Sequence, residues 1–184
     1  MYFDNVGKSN TDKTLELALR TAKERGIKHI VVASTSGETA LKLSRNTDIN
    51  IICVSHVNGF KTKGVNSMNE SMKEELEENG VRVLTTTHVL SGAERGLSNK
   101  FGGISPVEVI AYTLRMFGQG IKVCVEVSIM ALDSGLIPYN EKVIAIGGSG
   151  TGADAAIIIR PSHASSILET KIDEIICKPI EKRE

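Results

Sequence analysis

With 184 residues, the chain is long enough for one domain with a real core and too short for two comfortable ones. Its 22 Lys and Arg balance 22 Asp and Glu, and a net charge of zero argues against a general binder of nucleic acid or anionic membrane, whose footprint is a basic surplus. Seventeen glycines and no tryptophan point to an aliphatic core with many backbone positions that a side chain would obstruct.

Residues 11–25 place Leu15, Leu17, Ala18, Leu19 and Ala22 on a helical stripe, stopped by Gly26. Residues 29–33 are a short apolar run, the pattern of a strand buried on both faces. The turn Ser34-Thr35-Ser36-Gly37 opens a second helix over residues 38–45, with Thr35 and Glu38 at capping-box spacing. Residues 50–55 make a second strand. Ser67 and Glu70 repeat the capping-box spacing ahead of a helix that runs to Asn79, and residues 81–86 make a third strand. Residues 88–103, with Gly92, Gly96, Gly102 and Gly103, read as the longest irregular stretch, a length that favours a lid, a ligand-shaping loop or an interface. Ser105, Pro106 and Glu108 supply an N-cap, an N1 proline and an N3 glutamate, predicting a helix from Pro106 to about Phe117. Residues 122–134 stay open between strand and helix, because Val123, Val125, Val127 and Ile129 alternate over a run that is long for a strand. Residues 142–147 and 155–159 are strands, and residues 172–177 form a last alternating segment before a charged tail. The succession predicts one α/β domain over residues 1–184, with a mostly parallel sheet.

Cys53, Cys124 and Cys177 are odd in number and widely spaced, as reduced cytosolic thiols would be, and the four scattered histidines form no helical metal-binding pair. No apolar stretch suffices to span a bilayer, and residues 1–5 lack the regions of a signal peptide. The expectation is a cytoplasmic protein without a metal site.

Two loops follow buried strands directly. Residues 34–39 combine hydroxyls, a glycine and the free N–H groups of a helix start, which suit a phosphate or carboxylate; a well-capped turn without ligand is the plain alternative. Residues 147–152 hold Gly147, Gly148, Gly150 and Gly152, so backbone passes close to something there or takes positive φ, although the spacing is not a dinucleotide fingerprint. No nucleophile elbow and no forced acid–base pair appears, and the catalytic residues are left unassigned.

Ala33-Ser34-Thr35-Ser36-Gly37-Glu38-Thr39-Ala40, followed by residues 50–55, resembles the C-terminal α/β domain of pyruvate kinase, as do Val143-Ile144-Ala145-Ile146-Gly147-Gly148 and the glycines beyond. From Gly7-Lys8-Ser9-Asn10-Thr11 to Lys178-Pro179 the chain is similar to a stand-alone, mainly archaeal and bacterial family of such domains. The resemblance implies a helix over residues 122–134. It implies a three-layer α/β/α sandwich whose five-stranded, mostly parallel sheet has order 3-2-1-4-5, with the last core strand antiparallel. It also implies a phosphate-bearing ligand, with flavin mononucleotide (FMN) as the candidate cofactor. Kinase activity is not implied, since that catalytic site lies on a barrel of about 250 residues.

In the order 3-2-1-4-5 the sheet switches direction between its first and fourth strands, where open α/β sheets bind ligands, so the two loops become neighbours. The expected binding set is Ser34, Thr35, Ser36, Gly37, Glu38, Thr39, His56, Thr87, Phe101, Gly102, Gly147, Gly148, Ser149, Gly150, Thr151, Gly152 and Asp154. Glu38 is unwelcome near an anion. A balancing cation must come from Lys8, Lys61, Lys63, Arg95 or Lys100, and Phe60 or Phe101 is a packing partner for the ring. Three functions are in view: binding of a phosphorylated small molecule, a flavin-dependent oxidoreductase or metabolite enzyme using His56, His88 and Asp154, and a regulatory or homo-oligomeric module.

Overall fold

The structure, a computed structural model, describes residues 1–44 and 49–180. In chain order the elements are β1 (Tyr2–Phe3), α1 (Thr11–Arg25), β2 (His29–Ala33), α2 (Glu38–Ser44), β3 (Asn50–Val54), α3 (Glu70–Glu78), β4 (Arg82–Leu84), α4 (Ala93–Phe101), α5 (Pro106–Arg115), α6 (Gln119–Asp133), β5 (Val143–Gly147), β6 (Ala155–Arg160) and β7 (Lys171–Pro179). The sheet has seven strands in the order β1-β7-β6-β5-β2-β3-β4. Strands β4, β3, β2 and β5 are mutually parallel, and β6 runs antiparallel to β5. The expected order 3-2-1-4-5 is thus the run β4-β3-β2-β5-β6. The sheet extends past the expected five because β7 pairs antiparallel with β6, and β1 adds to β7 in parallel.

Side-chain alternation explains the three layers. Ile30, Val32, Ile51, Cys53, Ile144 and Ile146 point to the layer of α1, α2 and α3, where Leu15, Ala18, Leu43 and Leu76 meet them. Val31, Ile52, Val54, Val143 and Ala145 point to the other face, against Ile121, Cys124, Val125 and Ile129 of α6. Buried on both faces, these strands read as unbroken apolar runs. Burial in this environment raises the Cys53 thiol to about 12, so it is an inert packing group.

Local signals fare unevenly. Gly26 ends α1 with φ 65°, the left-handed stop its position predicts. Ser105 and Glu108 form the full capping box of α5. The other two capping boxes do not form. Asn69, not Ser67, caps α3 by accepting from Met72 N at 2.8 Å. The Thr35 hydroxyl meets His56 Nε2 at 3.4 Å, while Ser34 Oγ accepts from Ala40 N at 3.4 Å at the start of α2. The open run at residues 122–134 is helical and begins three residues earlier, at Gln119. Residues 88–103 are not all irregular, because α4 spans nine of them. The third predicted strand is shorter than residues 81–86 and is confined to Arg82–Leu84. The predicted end of the second helix, Arg45, lies outside the described residues.

Candidate functional site

Beyond the carboxyl ends of β2, β3 and β5 lies a crevice of about 760 Å³. It sits where the sheet order reverses, between β2 and β5. Its volume is that of a small-molecule or cofactor site.

The first wall rises from β2. Ser34, Thr35, Ser36, Glu38 and Thr39 line it, with Lys8, Thr11, Asp12 and Lys42 beside them. Gly37 does not line the crevice. It turns the loop at φ 93°, a left-handed conformation that favours glycine, and a Cβ there would press on the Met72 side chain of α3, 2.9 Å from its Sδ. Glu38 stays largely in solvent and forms a loose 4.0 Å ion pair with Lys8.

The second wall is the turn between β5 and β6, where Gly148, Gly150, Thr151 and Gly152 line the crevice. Gly152 (φ 75°) packs so tightly that a Cβ would lie 2.8 Å from Lys8 Cα, which ties this turn to the start of α1. Ala153 N donates to Thr11 Oγ1 at 3.0 Å across the same joint. Gly147 belongs to the seating of α6 on β5: a Cβ there would lie 3.0 Å from Cys124 N. Asp154 is fully buried behind the turn, where Oδ2 accepts from Gly7 N at 2.7 Å and from Ser149 N at 3.2 Å. Asp154 therefore holds the turn and, unlike His56 and His88, does not line the crevice. Ser149, Thr87, Phe101 and Gly102 also lie outside the lining, and Phe101 is 79% exposed.

The third side comes from the end of β3. His56 and Phe60 pack with ring centroids 3.9 Å apart, and His88 stands 5.5 Å from each. Ser55 Oγ meets Thr85 Oγ1 at 2.6 Å, and Asn66 bridges Thr85 and Asn58, which fastens the segment carrying His56, Phe60 and Lys61. Val57 N donates to His88 Nε2 at 3.3 Å, so the neutral ring carries its proton on Nδ1. Burial pulls the His56 pKa below its ordinary value, and the nearby His88 and Lys61 pull it further; the His88 pKa is also lowered, chiefly by burial and against the attraction of Glu126. His56 Nδ1 is buried, with no hydrogen-bond partner among the described residues.

Helix α6 supplies the floor through Gln119, Lys122, Val123, Glu126, Val127 and Met130. Lys122 and Glu126, one turn apart and both buried, form an ion pair. Glu126 Oε1 also accepts from Leu90 N at 2.9 Å, linking α6 to the segment that leads into α4. Burial lowers the Lys122 pKa despite the attraction of Glu126, and Arg115 and Arg95 push in the same direction. Of the cations expected from sequence, Lys8, Lys61 and Arg95 line the crevice and Lys63 and Lys100 do not; Lys42, Arg115 and Lys122 join them. The helix-borne residues Arg115, Gln119, Lys122 and Glu126 were missed, and the i,i+4 spacing of Lys122 and Glu126 inside an apolar run was their only signal in the sequence. Among the described residues, no group of three or more His, Cys, Asp or Glu side chains is placed to hold a metal ion, and no helix is long and apolar enough to cross a membrane.

Architecture and site together define a three-layer α/β sandwich with a switch-point crevice. The chain matches the family described as pyruvate kinase, alpha/beta domain, over residues 12–159, and belongs to that family. The match takes in β2 to β5 and both crevice loops, and leaves β1 and β7 outside. Among solved structures the chain is similar to a pyruvate kinase from Cryptosporidium parvum, at 16% identity and a TM-score of 0.41, covering 80% of this chain and 22% of that one. It is similar to the Cryptosporidium parvum pyruvate kinase in complex with ADP at 17% identity and a TM-score of 0.40, with 80% and 22% covered. The chain spans about a fifth of the length of those kinases.

Proposed function

We propose that the crevice binds a phosphate-bearing small molecule, with FMN as the particular candidate. One observation carries the reading. In a chain of zero net charge, six cationic side chains (Lys8, Lys42, Lys61, Arg95, Arg115 and Lys122) converge with the hydroxyls of residues 34–39 on one crevice. Among the described residues three acidic side chains share the lining and each faces a cation, Asp12 with Lys42, Glu126 with Lys122 and, loosely at 4.0 Å, Glu38 with Lys8, so Lys61, Arg95 and Arg115 make up the cationic surplus. Thr35, Ser36 and Thr39, with Lys8 and Lys61, would hold the phosphate by charge-assisted hydrogen bonds. Phe60, His56 and Met130 offer a soft, partly aromatic surface to a ring system, and the unpartnered His56 Nδ1 offers it a polar contact. FMN, when bound, supplies one- and two-electron redox chemistry.

Fluorescence titration with FMN and riboflavin tests this reading, because the two share a ring and differ in the phosphate. FMN should bind at least about tenfold tighter than riboflavin, the worth of one charge-assisted hydrogen bond. Equal affinity, or no quenching by either flavin, would contradict it.

A second reading, a flavin-dependent oxidoreductase or an enzyme acting on a phosphorylated metabolite, is favoured by one feature: the His56–His88 pair shares the crevice with the buried Lys122–Glu126 pair. Anaerobic bleaching of bound FMN by a nicotinamide donor would support catalysis. A persistent oxidised spectrum would restrict the protein to binding.

A further inference from the structure

Helices α4 and α5 differ from the rest of the molecule. The nine residues of α4 include none that is buried, and α5 buries only Ala111. Both nevertheless carry large apolar side chains. Val109, Tyr112 and Met116 recur on one helical face and are 55%, 64% and 82% exposed, while Leu114 packs inward against the core. Leu97 and Phe101, one turn apart on α4, are exposed as well, and so are Ile104 and Phe117 at the helix junctions. The two helices touch, joined by Ser98 Oγ donating to Glu108 Oε2 at 2.7 Å.

A short helix is marginal in water unless tertiary packing holds it, and α4 carries Gly96 at its centre. Monomeric soluble proteins rarely leave apolar patches of more than a few hundred Å² uncovered. At these exposures the seven residues present on the order of 1,000 Å² in all on the two touching helices and their junctions, against about 800 Å² per partner in a standard stable interface. Charge enters the patch through Lys100, beside Phe101, and Arg115, whose guanidinium lies 5.0 Å from the Tyr112 ring centroid. That is too little to recognise an acidic partner or to anchor a helix on anionic lipid. A self-complementary two-fold contact needs no opposite charge, and the outer positions Val109, Tyr112, Thr113 and Met116 present none.

We propose that a second copy of this chain covers the α4–α5 face in a two-fold dimer. Because Arg95 and Arg115 of the same helices line the crevice, assembly would also fix the cationic wall of the binding site. The dimer stands or falls independently of any ligand, since it is read in the unliganded protein.

Light scattering on the eluting protein at tens of micromolar should give about twice the 19.8 kDa of one chain. Met116→Glu and Tyr112→Ser, both at exposed positions, should each weaken the dimer by at least about tenfold with unchanged far-ultraviolet circular dichroism. A monomeric unmodified protein at that concentration, or a dimer dissociation constant unchanged in both variants, would overturn the proposal.

Discussion

Two walls of the crevice are built on opposite principles. The β2 wall stands on a strand hydrogen-bonded on both sides, and its turn is locked by Ser34 Oγ on Ala40 N and by Gly37 against Met72. The α4–α5 wall buries one side chain and is tied to the body by Leu114, the Glu126–Leu90 hydrogen bond and the Arg115–Gln119 hydrogen bond. A strand end holds hydroxyls in place because moving them would break the ladder. A surface helix pair has no ladder, so it can bring cations to a ligand and adjust to it. The neutral chain thus concentrates positive charge in its crevice, partly on the wall with the least packing of its own.

The largest expected effect lies at the joint between the two regimes. Glu126→Ala leaves the buried Lys122 without its partner and frees Leu90 N, and should cost about 3–5 kcal/mol in chemical denaturation. Glu126→Gln, which keeps an acceptor, should cost less. Equal, small losses for both would mean that the joint carries no load.

A single methyl should act with opposite sign in the two regions. At Gly147 it meets the backbone of α6, and Gly147→Ala should destabilise by about 1–3 kcal/mol. At Gly96 it enters open space within a helix, and Gly96→Ala should stabilise by up to about 1 kcal/mol, visible as slower hydrogen exchange in α4. A destabilised Gly96→Ala would contradict the open space beside Gly96 in α4.

The smallest effect is on pH dependence. His56 and His88 are pulled below 6.5 in the folded chain, so the unfolded chain binds their protons first. Stability should therefore fall as pH drops below about 6.5 and level off above about 7. A bound phosphate would favour the imidazolium forms, so ligand affinity should rise over the same window in which the free protein weakens. A melting temperature flat across that window would contradict the burial of these rings.

The sheet was legible in the sequence because strands buried on both faces are continuous apolar runs, and α5 because Ser105, Pro106 and Glu108 spell out its start. Helix α6 was obscured by the same burial: enclosed on nearly every side, it has no polar face to reveal its period, and its alternating valines mimic a strand. Helix α4 was hidden by Gly92, Gly96, Gly102 and Gly103, which read as loop. The hydroxyl and glycine sides of the crevice were visible because each follows a strand directly. Arg115, Gln119, Lys122 and Glu126 were not, since only the packing of α6 on the sheet, and of the end of α5 against α6, brings them beneath a loop about 85 residues earlier in the chain.

The central claim is that one phosphate-bearing ligand touches both switch-point loops at once. Backbone amide shifts followed during titration with FMN test it most directly. The account predicts saturable shifts at Thr35, Ser36, Thr39, Gly150 and Thr151 together, with a single midpoint. Shifts confined to one loop, or to surfaces away from the crevice, would contradict it.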